Sequence, residues 1–244
     1  MFQRIFRLVK KIIFILFVLQ LLYIVALKWI DPPVTLTQLD SLVEGYGLSR
    51  DYVNADEMSQ WAKLAVISSE DQLFPDHNGF DFKNIKKALA YNKKKPGRVR
   101  GASTISQQVA KNVFLWQGRS WIRKGFEIYF TFMIEMIWGK QRILETYLNV
   151  AEMGEGIFGI EAAAREYFNK PASKLTRQES AMIAACLPNP KKFKVKPASR
   201  YVSARSGWIQ IQMNHLEGDT DIQNIIRTDV KKPLKQKKKK GNKS

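Results

Sequence analysis

Residues 121–138, with the sequence WIRKGFEIYFTFMIEMIW, predict one long apolar helix. Charged residues are few in this stretch, so the helix lies either in the core or against lipid. A carboxylate in such surroundings needs a partner, and Arg123 precedes Glu127 by four residues, on the same helical face as Arg119. We therefore expect Glu127 to be paired. A salt bridge on an exposed helix surface is the alternative.

The chain on both sides of this stretch is also mostly helical. Apolar residues recur at helical spacing, Thr176 and Glu179 form a capping-box pattern, and no run alternates as a strand would. Helices are predicted over residues 59–69, 82–92, 104–115, 142–152, 160–168 and 199–216. The predicted fold class is therefore all-α.

The N-terminus predicts a membrane anchor. Residues 12–27 carry no charge, and Asp31 followed by two prolines ends the segment. Four basic residues precede it, which places residues 1–11 in the cytoplasm and everything after residue 30 outside it. A cleaved signal peptide is the alternative, although no small-residue cleavage pattern follows.

Charge and composition divide the rest of the chain. Of the net charge of +18 over 244 residues, residues 1–11 carry +4 and residues 231–244 carry +8. We predict a basic N-terminus at 1–11, an anchor at 12–30, a linker or stalk at 31–57, one domain at 58–230 and a disordered lysine-rich tail at 231–244. Basic ends on a moderately charged body argue against a nucleic-acid binder. One cysteine and two histidines exclude a disulfide framework and a Cys/His zinc site, while an oxygen-ligated Mg²⁺ site stays open.

A first polar segment, EDQLFPDHNGFD at residues 70–81, carries candidate chemistry. Glu70 ends an apolar helix, where the helix dipole disfavours a negative charge. Such a position favours a carboxyl that takes up a proton, as a general base does. An ordinary acidic helix end with a solvated loop is the alternative.

A second polar segment, GASTISQQVAKN at residues 101–112, predicts a helix N-terminus that can bind an anion. Ser103 is the expected N-cap. Thr104, Gln108 and Lys111 then share one helical face, which offers a hydroxyl, an amide and an ammonium group. A solvated polar face is the alternative.

These segments and three others resemble the motifs of the family 51 peptidoglycan glycosyltransferases. The resembling segments, in order, are EDQLFPDHNGFD, GASTISQQVAKN, RKGFE at 123–127, KQRILETYLN at 140–149 and RQESAMIAACLPNP at 177–190. Their order and spacing are those of the family's five motifs. The resemblance implies an all-α, lysozyme-like glycosyltransferase domain, with a head and a membrane-proximal jaw, and one N-terminal transmembrane helix.

The resemblance also implies roles for single residues. Glu70 matches the general base on the acceptor 4-hydroxyl, and Glu127 matches the carboxylate that assists departure of undecaprenyl pyrophosphate from lipid-linked glycan. Cationic positions around the lipid phosphates match Lys111, Arg119, Arg123 and Lys124. Other substrate-site positions match Asp71, Phe74, His77, Thr104 and Gln108. The positions implied to be structural include Glu145, Tyr147 and Asn149.

The substrates implied by the resemblance are lipid II and lipid-linked glycan, met on the periplasmic or outer side of the inner (plasma) membrane. Transpeptidases and division or elongation proteins are candidate partners, and the lysine-rich tail is expected to attract anionic membrane lipids. No cofactor is implied as obligatory, and Mg²⁺ or Mn²⁺ at the lipid pyrophosphate stays an open alternative. Two hypotheses compete with polymerisation: a lysozyme-like enzyme that cleaves peptidoglycan, and a non-enzymatic, membrane-anchored polybasic scaffold. The first has no need of the cationic face, and the second leaves Glu70, His77 and Glu127 without a role.

Overall fold

A computed structural model describes residues 2–95, 101–118 and 120–227. These residues are mainly helical. The helices are α1 (Phe2–Ala26), α2 (Leu36–Val43), α3 (Gln60–Glu70), α4 (Phe82–Lys94), α5 (Ile105–Phe114), α6 (Trp121–Ile137), α7 (Lys140–Val150), α8 (Ile160–Phe168), α9 (Arg177–Cys186), α10 (Arg200–Leu216) and α11 (Thr220–Ile226). The strands, which form one small sheet, are β1 (Ser49–Arg50), β2 (Glu152–Gly154) and β3 (Ile157–Phe158).

The predicted helices are largely confirmed. α8 has the predicted bounds, and the capping box of Thr176 and Glu179 opens α9 as expected. The helix predicted over 142–152 instead ends at Val150, because the chain turns into the hairpin of β2 and β3. Gly156 makes that turn with a φ of +70°, and a Cβ there would lie 2.2 Å from the Tyr46 carbonyl oxygen. A side chain would therefore be both strained and obstructed.

The segment predicted as a linker or stalk, 31–57, is instead folded onto the domain. Thr35 and Gln38 cap the start of α2 reciprocally, and both are buried. β1 pairs in parallel with β3, which pairs in antiparallel with β2. The Asn149 side chain also bonds the Val53 backbone amide and carbonyl at 3.2 and 3.0 Å. Composition could not predict this, because polar and turn residues look alike whether water or protein satisfies them.

α1 is long and apolar enough to cross a membrane, and it also contacts the domain. The Trp138 indole N–H donates to the Ile24 carbonyl at 2.8 Å, and the Tyr129 hydroxyl donates to Gln20 Oε1 at 3.1 Å. Gln20 is the one strongly polar residue of the uncharged run. Arg142 donates to backbone carbonyls just beyond the end of α1. The anchor helix is thus docked on α6 rather than tethered at a distance.

The core of the domain lies between α3, α5, α7, α9 and α10. α3 packs against α9 and α10, while α5 packs against α6 and α7. Ile67, Ile105 and Leu148 are fully buried where these helices meet. The packing brings the end of α3 next to the start of α5, so that the two polar segments singled out above become neighbours.

Candidate active site

Glu70 is the last residue of α3, and its carboxylate faces two neutral donors. Oε2 accepts a hydrogen bond from Gln108 Nε2 at 2.8 Å, and Oε1 accepts one from the Ser69 hydroxyl at 3.1 Å. The residue is partly exposed. None of the ion pairs formed by the described residues includes it. Glu70 can therefore take up a proton without breaking an ion pair.

Asp71 joins the two polar segments. Its Oδ1 lies 2.9 Å from His77 Nε2, and its Oδ2 accepts a hydrogen bond from the Ile105 backbone N–H at 3.0 Å. The Ile105 N–H is one of the free donors at the start of α5, so the buried carboxylate also complements the helix dipole there. Asp71 thereby fixes the end of α3 against the start of α5.

The N-cap of α5 is Thr104, which corrects the prediction of Ser103. Thr104 and Gln107 form a capping box, and the Thr104 hydroxyl also donates to the Gly79 carbonyl at 2.7 Å. Gly79 has a φ of +85°, and a Cβ there would lie 2.6 Å from a Thr131 methyl group on α6. Thr104 borders the cleft described below but is itself buried. Its observed contacts are internal.

Phe74 and His77 lie behind the cleft. Phe74 is 0% exposed and packs edge-on against the His77 ring. The Lys140 ammonium lies 4.5 Å from the Phe74 ring centre and donates to the His77 carbonyl at 2.5 Å. His77 contacts Asp71, which in turn holds α5. The positions of these two side chains are those of supports and not of direct substrate ligands.

A buried tyrosine orients the amide that contacts Glu70. The Tyr147 hydroxyl on α7 donates to Gln108 Oε1 at 3.3 Å, while Gln108 Nε2 donates to Glu70. Burial, followed by the nearby negative charge of Glu70, raises the pKa of Tyr147 well above its ordinary value. The hydroxyl therefore stays a donor. Sequence reasoning counted Tyr147 as structural, because the sequence gives no sign of this contact between α7 and α5.

Glu127 lies in a very different environment on α6. It is 3% exposed, and its Oε2 lies 2.8 Å from Arg123 Nη1. Its Oε1 pairs with the Lys124 ammonium. The expectation that this carboxylate is paired with Arg123 is confirmed, and Lys124 is a second partner. We call Arg123, Lys124 and Glu127, together with Lys111, the cationic cluster.

Lys111 brings α5 into the cationic cluster. Burial lowers the pKa of Lys111, the Glu127 carboxylate opposes that effect, and Arg123 and Lys124 add to it. These electrostatic couplings show that the four groups are close neighbours. Arg119, the remaining cation expected here, lies outside the described residues.

α5 stands between the two glutamates. Gln108 contacts Glu70, and Lys111, three residues on, is coupled to Glu127. Three residues of helix rise by about 4.5 Å. Roughly one helical turn therefore separates the residue that touches the first carboxylate from the residue beside the second.

An open cleft of about 870 Å³ borders Glu70. Its lining includes Gln108 and Thr104 on one side, while α10 forms another wall with Tyr201, Arg205, Trp208 and Gln212. These four residues follow one another at intervals of four, three and four, which is one face of a helix. Sequence reasoning missed them, although this spacing could have identified the face. Glu127 is not among the residues that line this cleft.

The residues do not fit a protein-held divalent cation at Glu127. Both of its carboxylate oxygens already contact cationic side chains. Within residues 2–95, 101–118 and 120–227, no group of three or more His, Cys, Asp or Glu side chains is placed to hold a metal ion. No step proposed below uses one.

The fourth resembling segment holds the fold together. Arg142 and Glu145 form the expected ion pair at 3.0 Å. Glu145 Oε1 also accepts from the Ala55 backbone N–H at 2.9 Å, and Arg142 reaches Asp31 at 3.0 Å. These contacts tie α7 to the two ends of the segment that follows the anchor.

The transglycosylase family model matches residues 37–214, which include both glutamates, α5 and most of α10. The chain belongs to the transglycosylase family. Its similarity to "Biosynthetic peptidoglycan transglycosylase" of Escherichia coli (strain K12 / DH10B) and of Shigella boydii serotype 4 (strain Sb227) is 57% identity over 178 residues. In each case the match covers 73% of this chain and 74% of the relative.

Membership of the transglycosylase family confirms the expected fold class. The domain is mainly helical with few strands, is lysozyme-like, and follows one N-terminal apolar helix. The family match begins at residue 37, inside the segment predicted as a linker, in agreement with the packing of α2 and β1 onto the domain. The family also makes the chain an enzyme that transfers glycosyl groups.

Proposed function

We propose that this transglycosylase polymerises lipid II into peptidoglycan glycan strands. The observation that supports this best is the arrangement along α5. A carboxylate held only by neutral groups lies beside an open cleft, and a cluster of buried cations lies about one helical turn away. Polymerisation needs both: a base for the acceptor hydroxyl and positive charge for a pyrophosphate leaving group.

Glu70 is the general base in this proposal. It takes the proton of the acceptor 4-hydroxyl as that oxygen attacks C1 of the donor sugar, with inversion. Its neutral partners, Gln108 and Ser69, leave its proton affinity unopposed by a fixed positive charge. Gln108 holds one carboxylate oxygen, so the carboxylate is already oriented before substrate arrives.

The cationic cluster meets the charge that develops on the departing undecaprenyl pyrophosphate. Lys111, Arg123 and Lys124 supply positive charge in a partly buried setting, where electrostatic interactions are stronger than in water. Glu127 orients Arg123 and Lys124 and offsets part of their mutual repulsion. Its contribution to leaving-group departure is therefore made through these two side chains.

Membrane attachment fits this chemistry, because a lipid-linked substrate is met at a bilayer. α1 is docked on α6, and Trp121, Ile122 and Phe132 of α6 are exposed apolar residues. In our proposal these residues contact lipid beside α1. The basic residues before the apolar run place the catalytic domain on the periplasmic or outer face. Partner transpeptidases and division or elongation proteins remain predictions.

The test is incubation of the purified full chain with labelled lipid II. We expect glycan polymer from the wild-type chain, its loss in the presence of moenomycin, and its loss in the Glu70→Gln variant. The matched control is Glu166→Gln, an exposed glutamate on α8. Release of muropeptides from purified sacculi without any polymer from lipid II would reject polymerisation in favour of the lytic alternative.

A further inference from the structure

Arg205 on α10 is a cation without a visible counter-ion at the wall of the cleft. Its Nη2 donates to the Ser69 carbonyl at 3.4 Å, which is a long hydrogen bond. Its Nε is buried and has no partner among the described residues, and those residues form no ion pair with it. A partly buried guanidinium with an unmatched donor favours an anionic ligand.

An aromatic surface lies directly beside this cation. The Arg205 guanidinium stacks on the Trp208 ring at 4.0 Å from the ring centre, and Trp208 is 40% exposed. One turn earlier, Tyr201 stacks on Phe193 at 3.9 Å and is 39% exposed. Stacking holds these rings in place while leaving part of each open to the cleft. The apolar face of a sugar ring can pack on such a surface, and nearby polar groups then fix its orientation.

The location of this wall says which part of a substrate it meets. Arg205 bonds the carbonyl of Ser69, the residue before Glu70, so its guanidinium lies beside the candidate base. The cationic cluster lies on the other side of α5 and does not line this cleft. An anion on Arg205 is therefore separate from the leaving group and belongs to the molecule whose hydroxyl Glu70 would deprotonate.

We propose that Tyr201, Arg205 and Trp208 form a binding site for the acceptor glycan, with a sugar ring against Trp208 and an anionic group of the same molecule on Arg205. This inference rests on the proposed function. Two sources offer that anion: a carboxylate of the acceptor's peptide stem, or the acceptor's own pyrophosphate. A substrate with no anion near its sugar would not use the site fully.

The experiment measures binding directly, by calorimetry on the full chain in detergent micelles. One ligand is a soluble disaccharide with its peptide stem and no phosphate. The other is the disaccharide pyrophosphate without the peptide. The variants are Arg205→Gln and Trp208→Ala, and the matched control is Arg200→Gln, an exposed arginine on the same helix that does not line the cleft.

We expect Arg205→Gln to weaken binding of one ligand by about 10-fold or more, the usual effect of losing a charge-assisted hydrogen bond. Loss with the peptide ligand identifies the carboxylate as the anion, and loss with the pyrophosphate ligand identifies the phosphate. Trp208→Ala should weaken both ligands by about 5-fold, since both carry the sugar. In polymerisation assays the same variants should raise KM for the acceptor more than they lower kcat.

The proposal is overturned if neither ligand binds the wild-type chain, or if Arg205→Gln binds both as tightly as Arg200→Gln does. A purely structural role for Arg205 would lower the thermal unfolding midpoint and leave the ratio of the two affinities unchanged, which also overturns it. Failure of the proposed function looks different. The wild-type chain would then make no polymer from lipid II, whether or not its affinity for these ligands depends on Arg205.

Discussion

The two candidate glutamates lie on opposite sides of one helix and have opposite surroundings. Glu70 borders an open cleft and contacts an amide and a hydroxyl. Glu127 is buried and contacts two cations. A carboxylate among neutral donors can change its protonation state, while one between cations keeps its charge. The difference teaches that the shared residue type hides two tasks: proton transfer at Glu70 and the positioning of positive charge at Glu127.

Replacing the carboxylate of Glu70 should give the largest effect. Glu70→Gln keeps a side chain that can accept a hydrogen bond from Gln108 but removes the base. We expect polymerisation from lipid II to fall by about 10³-fold, within the range for general-base catalysis. The thermal unfolding midpoint should stay unchanged, since no ion pair is lost. Turnover within a few-fold of the Glu166→Gln control would remove Glu70 as the base.

The same substitution at the other glutamate should behave differently. Glu127→Gln leaves Arg123 and Lys124 without their counter-ion, so it should cost stability as well as activity. We expect a loss of about 3 kcal/mol in the free energy of unfolding, at the lower end for a broken buried pair because Lys124 is partly exposed. Denaturant titration in detergent measures it. If Glu127→Gln were as stable as Glu70→Gln, the contrast between the two sites would fail.

Lys111 should show a conflict between stability and activity. Because burial lowers its pKa, between the folded value and the ordinary 10.5 the unfolded chain binds the proton more tightly than the folded chain does. The free energy of unfolding therefore rises with pH through that window, and below it the charged group opposes folding.

Lys111→Met should accordingly unfold at a slightly higher temperature at neutral pH while losing about 10-fold or more in polymerisation rate, as one charge for the leaving group is gone. In the wild-type chain the rate should decline at alkaline pH as Lys111 loses its proton, at lower pH than an ordinary lysine would. Lys111→Arg serves as the matched variant, since its charge persists and should move that decline upward. Identical pH profiles for the wild-type and Lys111→Arg chains would contradict the assignment.

The sequence predicted the elements that depend on local pattern. The long apolar helix, the capped start of α9 and the pairing of Glu127 with Arg123 all follow from spacings of three or four residues. Contacts between distant segments were less accessible. The segment 31–57 was assigned as a linker because nothing local shows that Asn149 binds its backbone. The choice of Thr104 over Ser103 as N-cap likewise depends on the Gly79 carbonyl in another loop.

The cleft shows the same limit. Glu70 and Gln108 were each singled out from their own segments, but the α10 wall has no counterpart in the five resembling segments. Its residues become a site only because α10 packs on α3, next to Glu70. Tyr147 was classed as structural for a similar reason. Its hydroxyl gains a role through a neighbour on α5 that only the folded chain supplies.

The smallest expected effect comes from that hydroxyl. Tyr147→Phe keeps the buried ring and removes only the donor to Gln108 Oε1, so the amide is free to rotate away from Glu70. We expect kcat to fall by about 5- to 10-fold with KM unchanged, the size of one ordinary hydrogen bond of about 1 kcal/mol. The variant should have no effect beyond that of Gln108→Ala when the two are combined, since both act through one contact. Additive losses in the double variant would mean that Tyr147 supports the fold and not the orientation of Glu70.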